Sequence, residues 1–187
     1  MPSLMIHLLT AQQCRQTPST LFYVGSVAPD AVEDWKEKDK SHFRDLTDRA
    51  AALRSLANAT NPDNDFAEAV LLHLFLDWKW DFTHMAAFKQ SRGADWFLPY
   101  RAEIGALSAR LYHMTGSRNI WQSMSDCNPA NFGQFGGTNS GQIHDLILRS
   151  HTFHQTNPDT PEFYTFEQVF DFIKTSAREY KEWRDKM

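Results

Sequence analysis

Hydrophobic residues recur along most of this chain at the three-to-four-residue interval of an amphipathic helix, and no pair of segments alternates convincingly in the manner of strands. Residues 3–16 read as a first helix with His7 inside it, ended by the Thr17-Pro18 step because the residue before proline disfavours helical dihedrals. Residues 21–34 carry Gly25, Pro29 and Asp30 and read as an irregular connection that folds back across the domain. The charged residues 36–42 read as solvated, and the Ala- and Leu-rich residues 46–59 as a second helix. From the cap signal Asn61-Pro62-Asp63-Asn64-Asp65, a long helix is expected from about residue 63 to about residue 90. It is apolar nearly all round at Val70, Leu71, Leu72, Leu74, Phe75 and Leu76, as befits the centre of a bundle. Beyond Gly93, residues 96–114 form a further helix, 120–124 a short turn, and 141–154 and 166–186 two more helices. The Gly-rich residues 127–140 read as a flexible loop, and residues 132–141 within and just past it as either a lid or an ordinary surface loop. The pattern predicts an all-α, single-domain multi-helix bundle over residues 1–187.

Composition narrows the function classes. A net charge of −4 with scattered Lys and Arg gives no basic stripe for a nucleic-acid backbone, so no stable nucleic-acid partner is expected. Cys14 and Cys127 are too few and too far apart for a disulfide framework or a Cys-x-x-Cys zinc knuckle, so any metal must be held by His and carboxylate groups. The opening residues lack the basic region and cleavage site of a signal peptide, and no apolar run is long enough for a membrane span, which points to a cytoplasmic protein. The 14 Phe and 6 Trp supply bulk for a core, and Trp78, Trp80, Trp96 and Trp121 read first as core and only second as walls of a groove.

Candidate chemistry concentrates in His73-Leu-Phe-Leu-Asp77-Trp-Lys-Trp-Asp81-Phe-Thr-His84, where four polar groups fall along one stripe of an otherwise apolar helix. Burying a carboxylate beside an imidazole is costly unless compensated, and a divalent cation compensates both. Spacing alone leaves a hydrogen-bonded core pair at His73 and Asp77 as an even alternative to chelation. His7 within an apolar helix, Asp30 after Pro29, and His42 in Ser41-His42-Phe43 shift that balance toward a metal.

In their order and context these residues resemble the zinc-dependent phospholipase C family. The matching features are His7 in its opening helix, Tyr23-Val24-Gly25-Ser26-Val27-Ala28-Pro29-Asp30, Lys40-Ser41-His42-Phe43, and Leu72-His73-Leu74-Phe75-Leu76-Asp77, spread over roughly the first half of the chain. The resemblance implies an all-α fold with Asp30, His42, His73 and Asp77 around zinc, Asp77 reaching toward a second ion that His7 helps to bind, and His84 as a further ligand. The family's later His-x3-Glu pair and its N-terminal Trp ligand are absent, so one or two ions are expected rather than three. The implied activity is hydrolysis of a small-molecule or lipid phosphoester, most directly a phosphodiester, by metal-activated water, with Asp30 orienting or deprotonating the water. A non-enzymatic metal-binding protein of the same fold is the alternative. His144-Asp145 raises a more remote one, an HD-type metal phosphohydrolase. His113 is expected to pack in the bundle, and His151 with His154 to form a partly exposed pair.

Overall fold

The computed structural model describes residues 1–156 and 159–187, and among these it contains helices and turns but no strand. Helix α1 (Leu4–Cys14) starts where the Ser3 side chain accepts the Ile6 amide, and every residue from Met5 to Ala11 is buried. Helix α2 (Thr20–Val27) is capped by Ser19 and runs into a 3-10 turn, Ala28–Ala31, with Pro29 in its first turn. The expected irregular connection is therefore mostly helix. Gly25 does not break it, since the missing side chain instead admits α5: a Cβ there would drive into the Phe66 carbonyl oxygen.

The charged segment coils into a short helix, α3 (Trp35–Ser41), started by the Asp34 carboxylate and ended at His42, and α4 (Arg49–Ala59) follows behind the Asp48 cap. The central helix α5 (Asp65–Phe82) begins one residue after Asn64, whose side chain accepts the Ala67 amide. It stops at Thr83, short of the expected end near residue 90, and a separate helix α6 (His84–Arg92) takes over. Neither Gly nor Pro marks that break. The Thr83 hydroxyl donates to the Lys79 carbonyl while the backbone turns at φ −114°, ψ −84°, which re-aims everything beyond.

The remainder is α7 (Phe97–Thr115), closed by left-handed Gly116, then α8 (Arg118–Ser125), α9 (Ser140–Thr156) and α10 (Phe166–Arg184), the last opened by a reciprocal Thr165–Gln168 capping box. Residues from all these helices except α3 join one buried cluster around α5 and α1, with Trp80 and Trp121 fully inside it. Trp78 and Trp96 pack only at its edge. No helix of the described residues is long and apolar enough to cross a membrane.

Candidate metal centre

Five of the six expected ligands meet at the centre of the bundle. His7 arrives from α1, Asp30 from the turn after α2, His42 from the end of α3, and His73 with Asp77 from one face of α5, four residues apart. His7, His42, His73 and Asp77 are completely buried. Nε2 of His7, His42 and His73 lies 3.4, 3.6 and 3.9 Å from the Asp77 carboxylate.

The outer ring nitrogens fix the chemistry of the inner ones. His73 Nδ1 lies 2.8 Å from the Ser26 carbonyl and His42 Nδ1 2.8 Å from the Lys38 carbonyl. A carbonyl only accepts, so each Nδ1 carries the proton and each Nε2 of a neutral ring presents a lone pair inward. Burial above all, with His7 as well for His73, holds these rings down to about 4 for His42 and about 3 for His73, so both are neutral at ordinary pH. Burial also raises the carboxyl of Asp77, but His73, His7 and Arg44 outweigh it and keep Asp77 ionised.

Lone pairs of His42 and His73 thus face a carboxylate with no donor between them, and among the described residues His42 Nε2, His73 Nε2 and Asp77 Oδ1 have no hydrogen-bond partner. Two inward lone pairs beside a carboxylate oxygen are a donor set that a metal ion satisfies. The residues fit a metal ion well. His42, His73 and Asp77 offer ligand atoms within 4.8 Å of one another, and so do His7, Asp30 and His73. Tetrahedral ligands about 2.0–2.2 Å from zinc sit about 3.3–3.6 Å apart, so shifts of up to about 1 Å would close the sphere. Both groups share His73, so the five side chains form one contiguous cluster. Backbone carbonyls on the outer nitrogens are the usual orienting partners of metal-bound histidine.

Two cations flank the cluster, and sequence reasoning singled out neither. Lys38 Nζ lies 2.7 Å from Asp30 Oδ1. Burial raises the Asp30 carboxyl, yet Lys38 and His73 together hold it well below the usual range. Arg44 donates to Asp77 Oδ2 at 2.7 Å and to Asp81 Oδ2 at 2.9 Å, which leaves Asp77 Oδ1 turned toward His7 and His73, while His42 Nε2 lies nearest Oδ2. Phe43 adopts a left-handed conformation at φ 57°, a strain of about 1 kcal/mol or more that swings the chain from His42 back to Arg44. The only signal in the sequence was that Lys38 and Arg44 flank His42 by four and two residues.

The other expected polar residues lie elsewhere. With α5 ended at Thr83, His84 leaves the stripe and stacks on Trp80 at 4.3 Å, edge-on to Phe172, away from the cluster. Asp81 is taken by Arg44, Arg49 and the Met1 amine. His113 is exposed rather than packed. His151 and His154 are buried rather than surface groups, bonded to Tyr112 and Ser108, because α9 lays that face against α7. His144 is occupied with the Ser125 carbonyl, and Asp145 is exposed; neither joins a ligand group among the described residues. The Gly-rich loop lies beside the cluster, with the Phe135 ring edge-on to His42 at 6.3 Å and Gly136 against Ser41.

Among known proteins, no family model, no curated protein and no solved structure matches this chain.

Proposed function

We propose that this protein binds one divalent transition-metal ion, zinc foremost, through His42, His73 and Asp77, with His7 and Asp30 completing the sphere, and uses it to hydrolyse phosphoesters. One observation carries the reading: the unpartnered Nε2 atoms of His42 and His73, held inward by bonds from their outer nitrogens to carbonyls, converge on the Asp77 carboxylate, 3.6 and 3.9 Å away, with no donor between them. Imidazole and carboxylate ligands suit zinc among the available divalent metals. When bound, the ion supplies Lewis acidity toward a phosphoryl oxygen and lowers the pKa of water.

The chain's own groups supply the rest. Arg44 fixes the rotamer of Asp77, the Ser26 and Lys38 carbonyls fix the two rings, and Lys38 keeps Asp30 ionised, so that Asp30 orients water by accepting its hydrogen bond. The phosphoester as substrate rests on the family resemblance of the residues around His7, Asp30, His42, His73 and Asp77. One observation favours a second reading, a metal-binding protein without turnover: four of the five ligands have no exposure, and closed spheres are typical of structural zinc. Catalysis would require the loop at Phe135 to lift from His42.

Elemental analysis of protein reconstituted with zinc is expected to give one ion per chain and none in His73→Ala. No bound metal under zinc-replete conditions would overturn the proposal. Zinc-dependent hydrolysis of bis(p-nitrophenyl) phosphate, abolished by His73→Ala, supports the hydrolase. Stoichiometric zinc with no turnover of mono- or diester supports the binding protein.

A further inference from the structure

On the far side of Arg44 from the histidines, the structure forms a cleft of about 380 Å³ between the 43–50 segment and the end of α5, within the size range of small-molecule sites. Arg44 and Arg49 both line it. Arg49 is 6% exposed, and of its guanidinium nitrogens only Nη1 has a partner, Asp81 at 2.9 Å. Nε and Nη2 have none among the described residues. A guanidinium presents five donors in a rigid fork, so a buried one with two nitrogens idle lacks a planar or tetrahedral acceptor. The acidic groups of the same wall are committed: Asp48 to the Ala51 amide as the α4 cap, and Asp81 to Arg44, Arg49 and the Met1 amine. Arg49 is also the first residue of α4, so the positive end of that helix dipole faces the cleft. The opposite walls are apolar, built from Phe43, Leu46, Trp78, Phe82 and Met85. Of these, Leu46 and Phe82 are 48% and 70% exposed at the rim.

We infer that this cleft is a binding site for an oxyanion, phosphate or carboxylate, carried on a small apolar or aromatic group. The acid takes Nε and Nη2 of Arg49 as a fork, and the apolar body lies between Trp78, Phe82 and Leu46. The site does not depend on the metal, because its donors stand without one.

The test uses chelator-treated protein, so its failure is separable from failure of the metal reading. Phenyl phosphate, phenylacetate and inorganic phosphate are titrated by calorimetry or by chemical-shift perturbation. At least one aromatic acid is expected to bind saturably and more tightly than inorganic phosphate, and the tighter of the two identifies the acid. Arg49→Gln is expected to weaken it at least about tenfold, as loss of hydrogen bonds to a charged acceptor does. Should Arg49→Gln fail to fold, Thr47→Trp, at an exposed cleft position, fills the site from the loop and gives the same loss. Absence of saturable binding by either aromatic acid at millimolar concentration, or binding that Thr47→Trp leaves intact, overturns the inference.

Discussion

His7 and His73 stack face to face at the heart of the bundle, 3.8 Å between ring centroids and 8° from parallel, with Nε2 of each turned to Asp77 Oδ1. The two rings are not equivalent. His73 is anchored through Nδ1 to Ser26, whereas among the described residues neither nitrogen of His7 has a hydrogen-bond partner. Each unsatisfied buried nitrogen costs about 1–3 kcal/mol. His7→Phe keeps the stack and removes both, so the metal-free variant is expected to melt at a higher temperature than the parent. Its zinc affinity is expected to fall roughly 10–100-fold with the loss of a ligand. Thermal melts in chelator and competition against a zinc indicator read the two effects. A variant that is less stable and binds zinc unchanged would remove His7 from the sphere.

Arg44 joins Asp77 to Asp81 and is only 20% exposed along its side chain. Removing one member of a buried pair strands the other, at about 3–5 kcal/mol. In Arg44→Met, Asp77 and Asp81 both lose this partner, while a bound ion still compensates Asp77. Scanning calorimetry is therefore expected to show a larger drop in Tm for the metal-free variant than for the zinc-loaded one. Equal drops would mean that Asp77 does not face the ion.

The helices were legible where one stripe of the pattern faces the core, as in α7 and α10, or where apolar residues surround the helix, as in α5. Residues 20–27 were hidden because Gly25 reads locally as a breaker, although its role is a close approach to α5. The end of α5 at Thr83 was hidden for the opposite reason: no breaker stands there, and the turn depends on where His84 finds its aromatic partners in α5 and α10. His7, Asp30, His42, His73 and Asp77 stood out as polar groups in apolar or turn contexts. Arg44 and Lys38 did not, because a charge in a charged run looks solvated until the fold shows it bonded inward.

His154 supplies a pH dependence independent of the proposed metal centre. It is 2% exposed, its Nε2 is 2.7 Å from the Ser108 hydroxyl, and burial, with His151 and His113 acting in the same sense, holds the ring down to about 3 from an ordinary 6.5. Between those values the unfolded chain takes a proton that the folded chain refuses. The contribution to stability is complete above about pH 6.5 and falls as the pH drops toward 3, by at most about 1.4 kcal/mol per unit. His154→Gln retains a partner for Ser108 and cannot titrate. Urea titrations in chelator between about pH 6.5 and 4 are expected to show a shallower decline for the variant than for the parent. Parallel declines would place the His154 ring in solvent.

Gly25 ties helix packing to the proposed metal centre. A Cβ at this position would strike the Phe66 carbonyl oxygen and press on Ala69 Cβ, both in α5, and backbone does not yield as a flexible side chain does. The next residue, Ser26, holds His73 through its carbonyl at 2.8 Å. Forcing α2 outward therefore stretches the bond that sets the His73 tautomer. Gly25→Ala is expected to cost about 1–3 kcal/mol by denaturant titration and to weaken zinc binding at least about tenfold, the scale of a lost orienting partner. Gly105→Ala is the matched control, since a Cβ there meets only the edge of the Phe153 side chain at 3.3 Å. In the interior of α7 it should stabilise by up to about 1 kcal/mol, with zinc affinity unchanged. If Gly25→Ala matched that control in both stability and zinc binding, the close contact of α2 with α5 would not be what orients His73.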